Sequence, residues 1–195
     1  MTIADKVTFS RIILAPVFFI VFLLEMDLFG FGALFSFQIP WLLIILWLLF
    51  IASEITDLID GKIARSRNEV SEFGKLFDPF SDTLVRMTYF LCFVVTLTLP
   101  VIPFLLILYR EFGVLFVRVL MMKKGVAMGA SWGGKIKAVS YMLTGLCCLV
   151  QITFDHLGYI SIAEIFSVAA FVIFIISAGI AIISFIDYFI RYLKS

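Results

Sequence analysis

Four aspartates in this chain have a spacing that suits metal-assisted chemistry at phosphate. Asp57 and Asp60 are three residues apart and Asp78 and Asp82 are four residues apart, so the members of each pair share one face of a helix. If two neighbouring helices bring the pairs together, four carboxylates meet and their mutual repulsion favours bound cations. A site made only of oxygen ligands suits Mg²⁺ or Mn²⁺, and two ions held by shared carboxylates suit phosphoryl chemistry. We therefore expect a two-metal site at these aspartates.

The residues between the two pairs indicate a ligand that carries phosphate. Gly61 and Gly74 have no side chain that would block the close approach of a bulky group. Lys62 and Arg65 place positive charge beside the carboxylates, as a phosphate-bearing substrate requires. The alternative interpretation is a set of acidic residues that are merely solvated at the level of the lipid headgroups.

The composition is that of a membrane protein. Hydrophobic residues make up 63% of the 195 residues and charged residues 15%, where soluble domains have about 45–50% and about 25%. These values exclude a water-soluble globule, a disordered chain and a coiled coil. The net charge of +1 gives no basic excess for phosphate neutralisation, so we expect no nucleic-acid partner. The length and the lack of a linker predict a single membrane domain over residues 1–195.

Apolar runs and basic residues together predict a topology. A bilayer-spanning helix needs about 20 mostly apolar residues, and six runs qualify, at roughly 9–29, 39–59, 79–99, 101–122, 137–155 and 162–190. Apart from Arg86 and Arg110, every Lys and Arg lies near a terminus, between the second and third runs, or around the connection between the fourth and fifth. By the positive-inside rule both termini and these two connections face the cytoplasm. The predicted fold is an all-α bundle of six transmembrane helices in the cytoplasmic (inner) membrane, with its active site at the cytoplasmic helix ends.

The pattern of aspartates and glycines resembles the signature of the CDP-alcohol phosphatidyltransferase family. The match runs without a gap through Asp57-Leu-Ile-Asp60-Gly61-Lys-Ile-Ala64-Arg65, eight residues, Gly74, three residues, Asp78, three residues and Asp82. The resemblance implies transfer of a phosphatidyl group from CDP-diacylglycerol to a hydroxyl of a small alcohol, with release of CMP.

The resemblance also implies a role for each matching residue. Asp57, Asp60 and Asp78 would hold two Mg²⁺ or Mn²⁺ ions, and Asp82 would contact the second ion and act as the general base. CDP-diacylglycerol would bind at the residues of the first part of the signature, which are Asp57, Asp60, Gly61, Ala64, Arg65 and Gly74. A carboxylate base is consistent with a chain whose one histidine, His156, is expected on the opposite side of the membrane.

A second group of charged residues bears on the acceptor alcohol. Arg110 lies near the middle of the fourth run, so it must face a cavity or a carboxylate. In one interpretation Arg110, Arg118, Lys135 and Lys137 form a basic pocket for an acceptor that itself carries phosphate. In the other interpretation Arg110 only pairs with an acidic neighbour, for which Glu54 is one candidate.

The residues of this second group look like those of the phosphatidylglycerophosphate synthases within the family, whose acceptor is sn-glycerol 3-phosphate. The matching stretches are Arg110-Glu111, Arg118, Ser131-Trp132 and Gly134-Lys135-Ile-Lys137. The opening Asp5-Lys-Val-Thr8-Phe-Ser-Arg11 is similar to the Asn-x-x-Thr-x-x-Arg opening of those enzymes, with Asp5 in place of Asn.

Three further alternatives stay open at this point. The acceptor of a phosphatidylinositol phosphate synthase also needs a basic pocket, and other acceptors are conceivable. A cation transporter would place its acidic residues near the bilayer midplane rather than at one face. The small-residue face at Ser177 and Ala181 on the last run is explained either by a homodimer contact or by packing within the bundle.

Overall fold

The computed structural model describes residues 3–27, 40–67, 72–124 and 132–194. The side chains described exclude those of residues 3–7, 40, 57–67, 72–76, 132, 133, 135, 191 and 194. Within these described ranges the elements are six helices, α1 (Ile3–Glu25), α2 (Pro40–Arg67), α3 (Glu72–Val95), α4 (Val101–Lys123), α5 (Trp132–His156) and α6 (Ile160–Lys194). The predicted all-helical fold is confirmed.

Three of the described helices contain stretches long and apolar enough to cross a membrane, namely Thr8–Glu25, Ile136–His156 and Ile160–Ile190, and α2 has a shorter apolar stretch at Trp41–Thr56. Large apolar side chains on α6 are exposed, for example Ile165 at 66% and Ile183 at 71%. Such surfaces are expected where the solvent is lipid. The count of six spans stays a prediction, because α3 and α4 interrupt their apolar sequences with charged residues.

Two helices extend beyond the apolar runs that predicted them. The second run was expected to end near residue 59, but α2 continues to Arg67, and α3 already begins at Glu72, ahead of the run expected from residue 79. Hydropathy marks where side chains become polar, whereas helical backbone hydrogen bonds continue past that point. The basic residues expected in a loop here, Lys62, Arg65, Arg67 and Lys75, therefore lie in helices.

The chain divides into two compact units, residues 1–92 and 93–195, with the boundary inside α3. Unit 1 contains α1, α2 and most of α3, and its core includes Phe18, Phe22 and Phe90. Unit 2 contains the end of α3 and the helices α4, α5 and α6, and Leu149 and Phe174 are fully buried in it. The prediction of a single domain over 1–195 stays a prediction.

Candidate active site

One face of α1 forms the buried stripe of unit 1. Thr8, Arg11, Ala15, Phe18 and Phe22 follow one another at intervals of three and four residues, and each is 2% exposed or less. That spacing places them on a single helix face. The C-terminal part of the stripe packs on an aromatic residue, since the Phe18 ring lies 5.1 Å from the ring of Tyr89 on α3. The N-terminal part consists of the two polar side chains, Thr8 and Arg11.

These two polar side chains contact two of the four aspartates singled out above. The Thr8 hydroxyl donates a hydrogen bond to Oδ1 of Asp78 at 2.5 Å. Arg11 donates from Nη1 to Oδ1 of Asp82 and forms an ion pair with it. The Asp82 side chain is 32% exposed whereas that of Arg11 is 2% exposed. The structure therefore holds Asp82 from the buried side and leaves it reachable from outside.

A small cleft adjoins Asp82 in unit 1. Its lining residues are Arg11, Ser53, Glu54, Asp82, Val85, Arg86 and Tyr89. The buried hydroxyl of Tyr89 donates to Oγ of Ser53 at 2.7 Å and so joins α3 to α2. Glu54 thus faces the same cleft as Asp82, and Asp57 follows it one turn later along α2. Both helices of the predicted aspartate site contribute an acidic residue to this cleft.

Most of the predicted metal and donor-binding residues lie outside the described side chains. Asp57, Asp60, Gly61, Ala64 and Arg65 lie in α2 and Gly74 lies in α3, but their side chains are outside the described residues. Among the described side chains no group of three or more metal-ligating residues is present. The two aspartates that are described fit a hard divalent cation in chemistry, because carboxylate oxygens are its preferred ligands. The convergence of all four stays a prediction.

A second polar cluster lies in unit 2 and is built around Arg110, which is buried. Its Nη1 donates to both carboxylate oxygens of Glu111 at 3.0 and 3.1 Å. Its Nη2 donates to Oγ of Ser184 at 2.8 Å, and its Nε donates to the carbonyl oxygen of Ala181 at 3.3 Å. Arg110 on α4 is thereby fixed against α6. Its carboxylate partner is Glu111, its neighbour along the chain.

Glu111 connects the same cluster to α5. Lys137 donates from Nζ to its two oxygens at 2.7 and 2.9 Å, and the Tyr141 hydroxyl donates to Oε1 at 3.1 Å. The side chains of Arg110, Glu111 and Lys137 are 4%, 7% and 12% exposed. One carboxylate thus faces two cations, so these three side chains carry a net charge of +1 in a largely buried setting. The cluster therefore joins α4, α5 and α6 through charged hydrogen bonds.

The other residues of the expected acceptor pocket are less fully defined. The guanidinium of Arg118, two turns after Arg110 on α4, lies 5.9 Å from the centre of the Tyr188 ring on α6. The side chain of Lys135 is outside the described residues. Both side chains of the small-residue face, Ser177 and Ala181, are fully buried. This face therefore packs inside the chain, and the homodimer stays a prediction.

The sequence interpretation did not single out two partners in these clusters, Tyr141 and Ser184. Tyr141 follows Lys137 by four residues on α5, so helical spacing would have placed its hydroxyl beside Lys137. Ser184 gives no comparable signal, because it reaches Arg110 from a helix more than seventy residues away along the chain.

The sequence matches one known protein family over most of its length. The sequence pattern that defines the CDP-alcohol phosphatidyltransferases matches residues 1–182. The chain belongs to the CDP-alcohol phosphatidyltransferase family. That match spans the aspartate signature as well as the buried cluster around Glu111.

Several relatives of this phosphatidyltransferase are similar to it over part of their length. A CDP-diacylglycerol–glycerol-3-phosphate 3-phosphatidyltransferase of Treponema pallidum is 47% identical over 95 residues, 49% of this chain and 44% of that protein. The Bacillus subtilis protein of the same name is 34% identical over 133 residues, 68% of each chain. A probable phosphatidylglycerophosphate synthase of Mycobacterium tuberculosis is 30% identical over 151 residues, 77% of this chain and 67% of that protein. The chain thus spans less than half of the Treponema protein and about two thirds of the other two.

Membership of the family assigns this protein to the transferases. The family is generally dependent on divalent metal ions, in agreement with the carboxylate chemistry of Asp78 and Asp82. Its apolar helices agree with a membrane enzyme.

Proposed function

We propose that this phosphatidyltransferase moves the phosphatidyl group of CDP-diacylglycerol to a hydroxyl of sn-glycerol 3-phosphate and releases CMP, a step of phospholipid biosynthesis. The printed names of the relatives support this reaction. The observation that carries it is the ungapped aspartate signature, whose second half, Asp78 and Asp82, is held in place by the polar end of α1.

The metal site of this proposal consists of Asp57, Asp60, Asp78 and Asp82, which would hold two Mg²⁺ or Mn²⁺ ions. When bound, the ions supply positive charge to the diphosphate of the donor and to the departing CMP. The glycines of the signature leave room for the cytidine diphosphate, and Arg65 adds a cation next to it.

Asp82 is the proton acceptor of this reaction. The oxygen of the acceptor hydroxyl forms a bond to the phosphorus that carries diacylglycerol, and the bond from that phosphorus to the oxygen of CMP breaks. CMP leaves with the electron pair, and the hydroxyl proton passes to the carboxylate of Asp82. Its exposure of 32% allows a hydroxyl to reach it, and its contact with Arg11 fixes the carboxylate while the proton is transferred.

The acceptor site of this proposal contains Arg110, Arg118, Lys135 and Lys137. Arg110 and Lys137 flank the carboxylate of Glu111, and the four cations of this site suit the phosphate of sn-glycerol 3-phosphate. A neutral acceptor such as serine or free inositol has no anionic group for these cations to bind, which disfavours it.

The membrane arrangement of the proposal is six spans with both termini in the cytoplasm of a cell bounded by a cytoplasmic (inner) membrane. It rests on the distribution of Lys and Arg. CDP-diacylglycerol has its acyl chains in lipid and its nucleotide in water, so an active site at cytoplasmic helix ends meets both parts of the donor.

The experiment is CMP release by the purified chain in CDP-diacylglycerol micelles with Mg²⁺ or Mn²⁺. Glycerol 3-phosphate, inositol phosphate, inositol and serine are offered separately. Release with glycerol 3-phosphate alone is the expected result. Release with inositol phosphate alone would keep the proposed mechanism but change the acceptor. No release with any acceptor would contradict the reaction, and the alternative interpretation as a cation transporter would have to be tested.

A further inference from the structure

Two contacts between α1 and α3 are arranged as a pair. Thr8 and Arg11 are one turn apart on α1, and the residues they contact, Asp78 and Asp82, are one turn apart on α3. The hydroxyl meets the first aspartate and the guanidinium meets the second, each at one Oδ1 atom. A carboxylate has about four lone-pair positions on two oxygens, so one such contact does not by itself saturate either aspartate.

Packing alone does not account for polar residues at these two positions. The rest of the α1 stripe is Ala15, Phe18 and Phe22, which bury apolar surface at no electrostatic cost. Arg11 is buried to 2% exposure, and a buried ion pair is often no more stabilising than well-packed apolar residues in its place. The contacts of Thr8 and Arg11 with the aspartates therefore explain these two polar residues better than a contribution to the stability of the fold does.

We propose that Thr8 and Arg11 are the positioning residues of the two α3 carboxylates, Thr8 orienting Asp78 toward the divalent cation and Arg11 orienting Asp82 toward the acceptor hydroxyl. The inference rests on the proposed function, because it assigns those roles to Asp78 and Asp82. The physical basis is that an aspartate without a fixed partner samples several rotamers, whereas a hydrogen bond to one oxygen restricts the rotamers that the carboxylate occupies. Partners of this kind change metal affinity or activity by about 10- to 100-fold when removed.

The Thr8 part of the proposal is tested without any turnover. Mn²⁺ binding to the full-length protein in detergent is measured by electron paramagnetic resonance for wild type, Thr8→Val and Thr8→Ser. Valine keeps the shape of threonine and removes the hydroxyl, so we expect a roughly 10- to 100-fold weaker Mn²⁺ affinity. Serine keeps the hydroxyl and is expected to bind as wild type does. Thr8→Ala replaces the valine variant if valine prevents folding, as judged by circular dichroism and gel filtration.

Thr88→Val is the matched control for this change. Thr88 lies on α3, and its hydroxyl donates to the carbonyl oxygen of Leu84 in the same helix at 2.8 Å. The substitution removes a hydroxyl in the same way but touches neither aspartate, so Mn²⁺ affinity is expected to stay at the wild-type value. Equal losses in Thr8→Val and Thr88→Val would overturn the proposal, since they would show a general effect on helix packing.

The Arg11 part is tested by steady-state kinetics at saturating metal. In Arg11→Met we expect kcat to fall about 10- to 100-fold while the KM for CDP-diacylglycerol stays close to wild type. Arg11→Lys keeps the charge but loses the planar guanidinium, so partial recovery of kcat is expected. A raised KM for CDP-diacylglycerol at unchanged kcat would overturn the proposal, because Arg11 would then bind the donor directly.

Failure of the proposed function and failure of this inference give different results. If wild type releases no CMP with any acceptor, the function is contradicted, while the Mn²⁺ affinities of Thr8→Val and Thr8→Ser still decide the role of Thr8. If wild type releases CMP and Thr8→Val binds Mn²⁺ as tightly as Thr8→Ser, the function stands and the positioning role of Thr8 is overturned.

Discussion

Replacement of Glu111 by Gln is the perturbation for which the structure gives the clearest energetic consequence. The carboxylate of Glu111 accepts hydrogen bonds from both Nη1 of Arg110 and Nζ of Lys137, with donor–acceptor distances of 2.7 to 3.1 Å. Glutamine has nearly the same shape, so the change removes charge and little volume. Two largely buried cations would then face a neutral amide whose nitrogen is itself a donor.

The magnitude follows from the burial of the cluster. Leaving a buried charge without its partner costs about 3–5 kcal/mol in soluble proteins. Interhelical hydrogen bonds within membranes are worth less, about 1–2 kcal/mol. Since the amide oxygen of Gln still accepts one hydrogen bond, we expect Glu111→Gln to lower the free energy of unfolding by about 3 kcal/mol, at the lower end of the ion-pair range. Lys137→Met should cost less, because it leaves Arg110 and Glu111 as a balanced pair.

The assay is unfolding of the purified protein in mixed micelles, followed by circular dichroism as the fraction of denaturing detergent increases. Glu164→Gln is the matched control, since Glu164 is an exposed residue of α6 in the same unit and loses the same charge. The double variant Glu111→Gln/Lys137→Met should be more stable than the sum of its single changes by about 1–3 kcal/mol, because it removes one cation together with the anion. If Glu111→Gln is as stable as Glu164→Gln, or if the two changes are additive, the charge balance inferred for this cluster is wrong.

Three further predictions concern the catalytic base, the acceptor pocket and the packing of α4. Asp82→Asn should abolish CMP release while weakening Mn²⁺ binding less than Asp78→Asn does, and near-normal turnover would contradict the role of Asp82 as the base. Arg118→Ala should raise the KM for glycerol 3-phosphate more than the KM for CDP-diacylglycerol, and the opposite pattern would place Arg118 in the donor site. Gly113→Ala should lower the free energy of unfolding by about 1–3 kcal/mol, since its Cβ would lie 2.8 and 3.0 Å from ring atoms of Phe185. Gly179→Ala, whose Cβ meets nothing within 4 Å, should not lower the free energy of unfolding. Equal stability of the two variants in the same unfolding assay would refute the close contact at Gly113.

The helices were predictable from the sequence because each contains a long, mainly apolar run. The ends of the helices were less predictable, since the polar end of α2 up to Arg67 has no hydropathy signal although the helix continues through it. The surroundings of Arg110 were also only partly predictable. Its position in an apolar run requires a partner, and Glu111 supplies one, but adjacency along the chain does not show that Lys137 binds the same carboxylate.

The aspartate site was predictable as a pattern and only partly as a geometry. Spacing places Asp78 and Asp82 on one face of α3, and the structure agrees in that α1 contacts both. The contacts from Thr8 and Arg11 bridge about seventy residues of sequence, and periodicity within one helix holds no information about the neighbour it packs against. The resemblance of the N-terminal segment to known openings pointed to these two residues without indicating what they contact.

The central claim is that the chain joins a phosphatidyl group to glycerol 3-phosphate at the aspartate site. The most direct measurement is the transfer of radiolabel from glycerol 3-phosphate into chloroform-extractable lipid by the purified protein, with CDP-diacylglycerol and Mg²⁺. The account predicts label in the lipid phase for wild type, and none when CDP-diacylglycerol is omitted, when the metal is chelated, or when Asp78→Asn replaces wild type. Label that stays in the aqueous phase under the complete conditions, or lipid labelling that survives in Asp78→Asn, would contradict it.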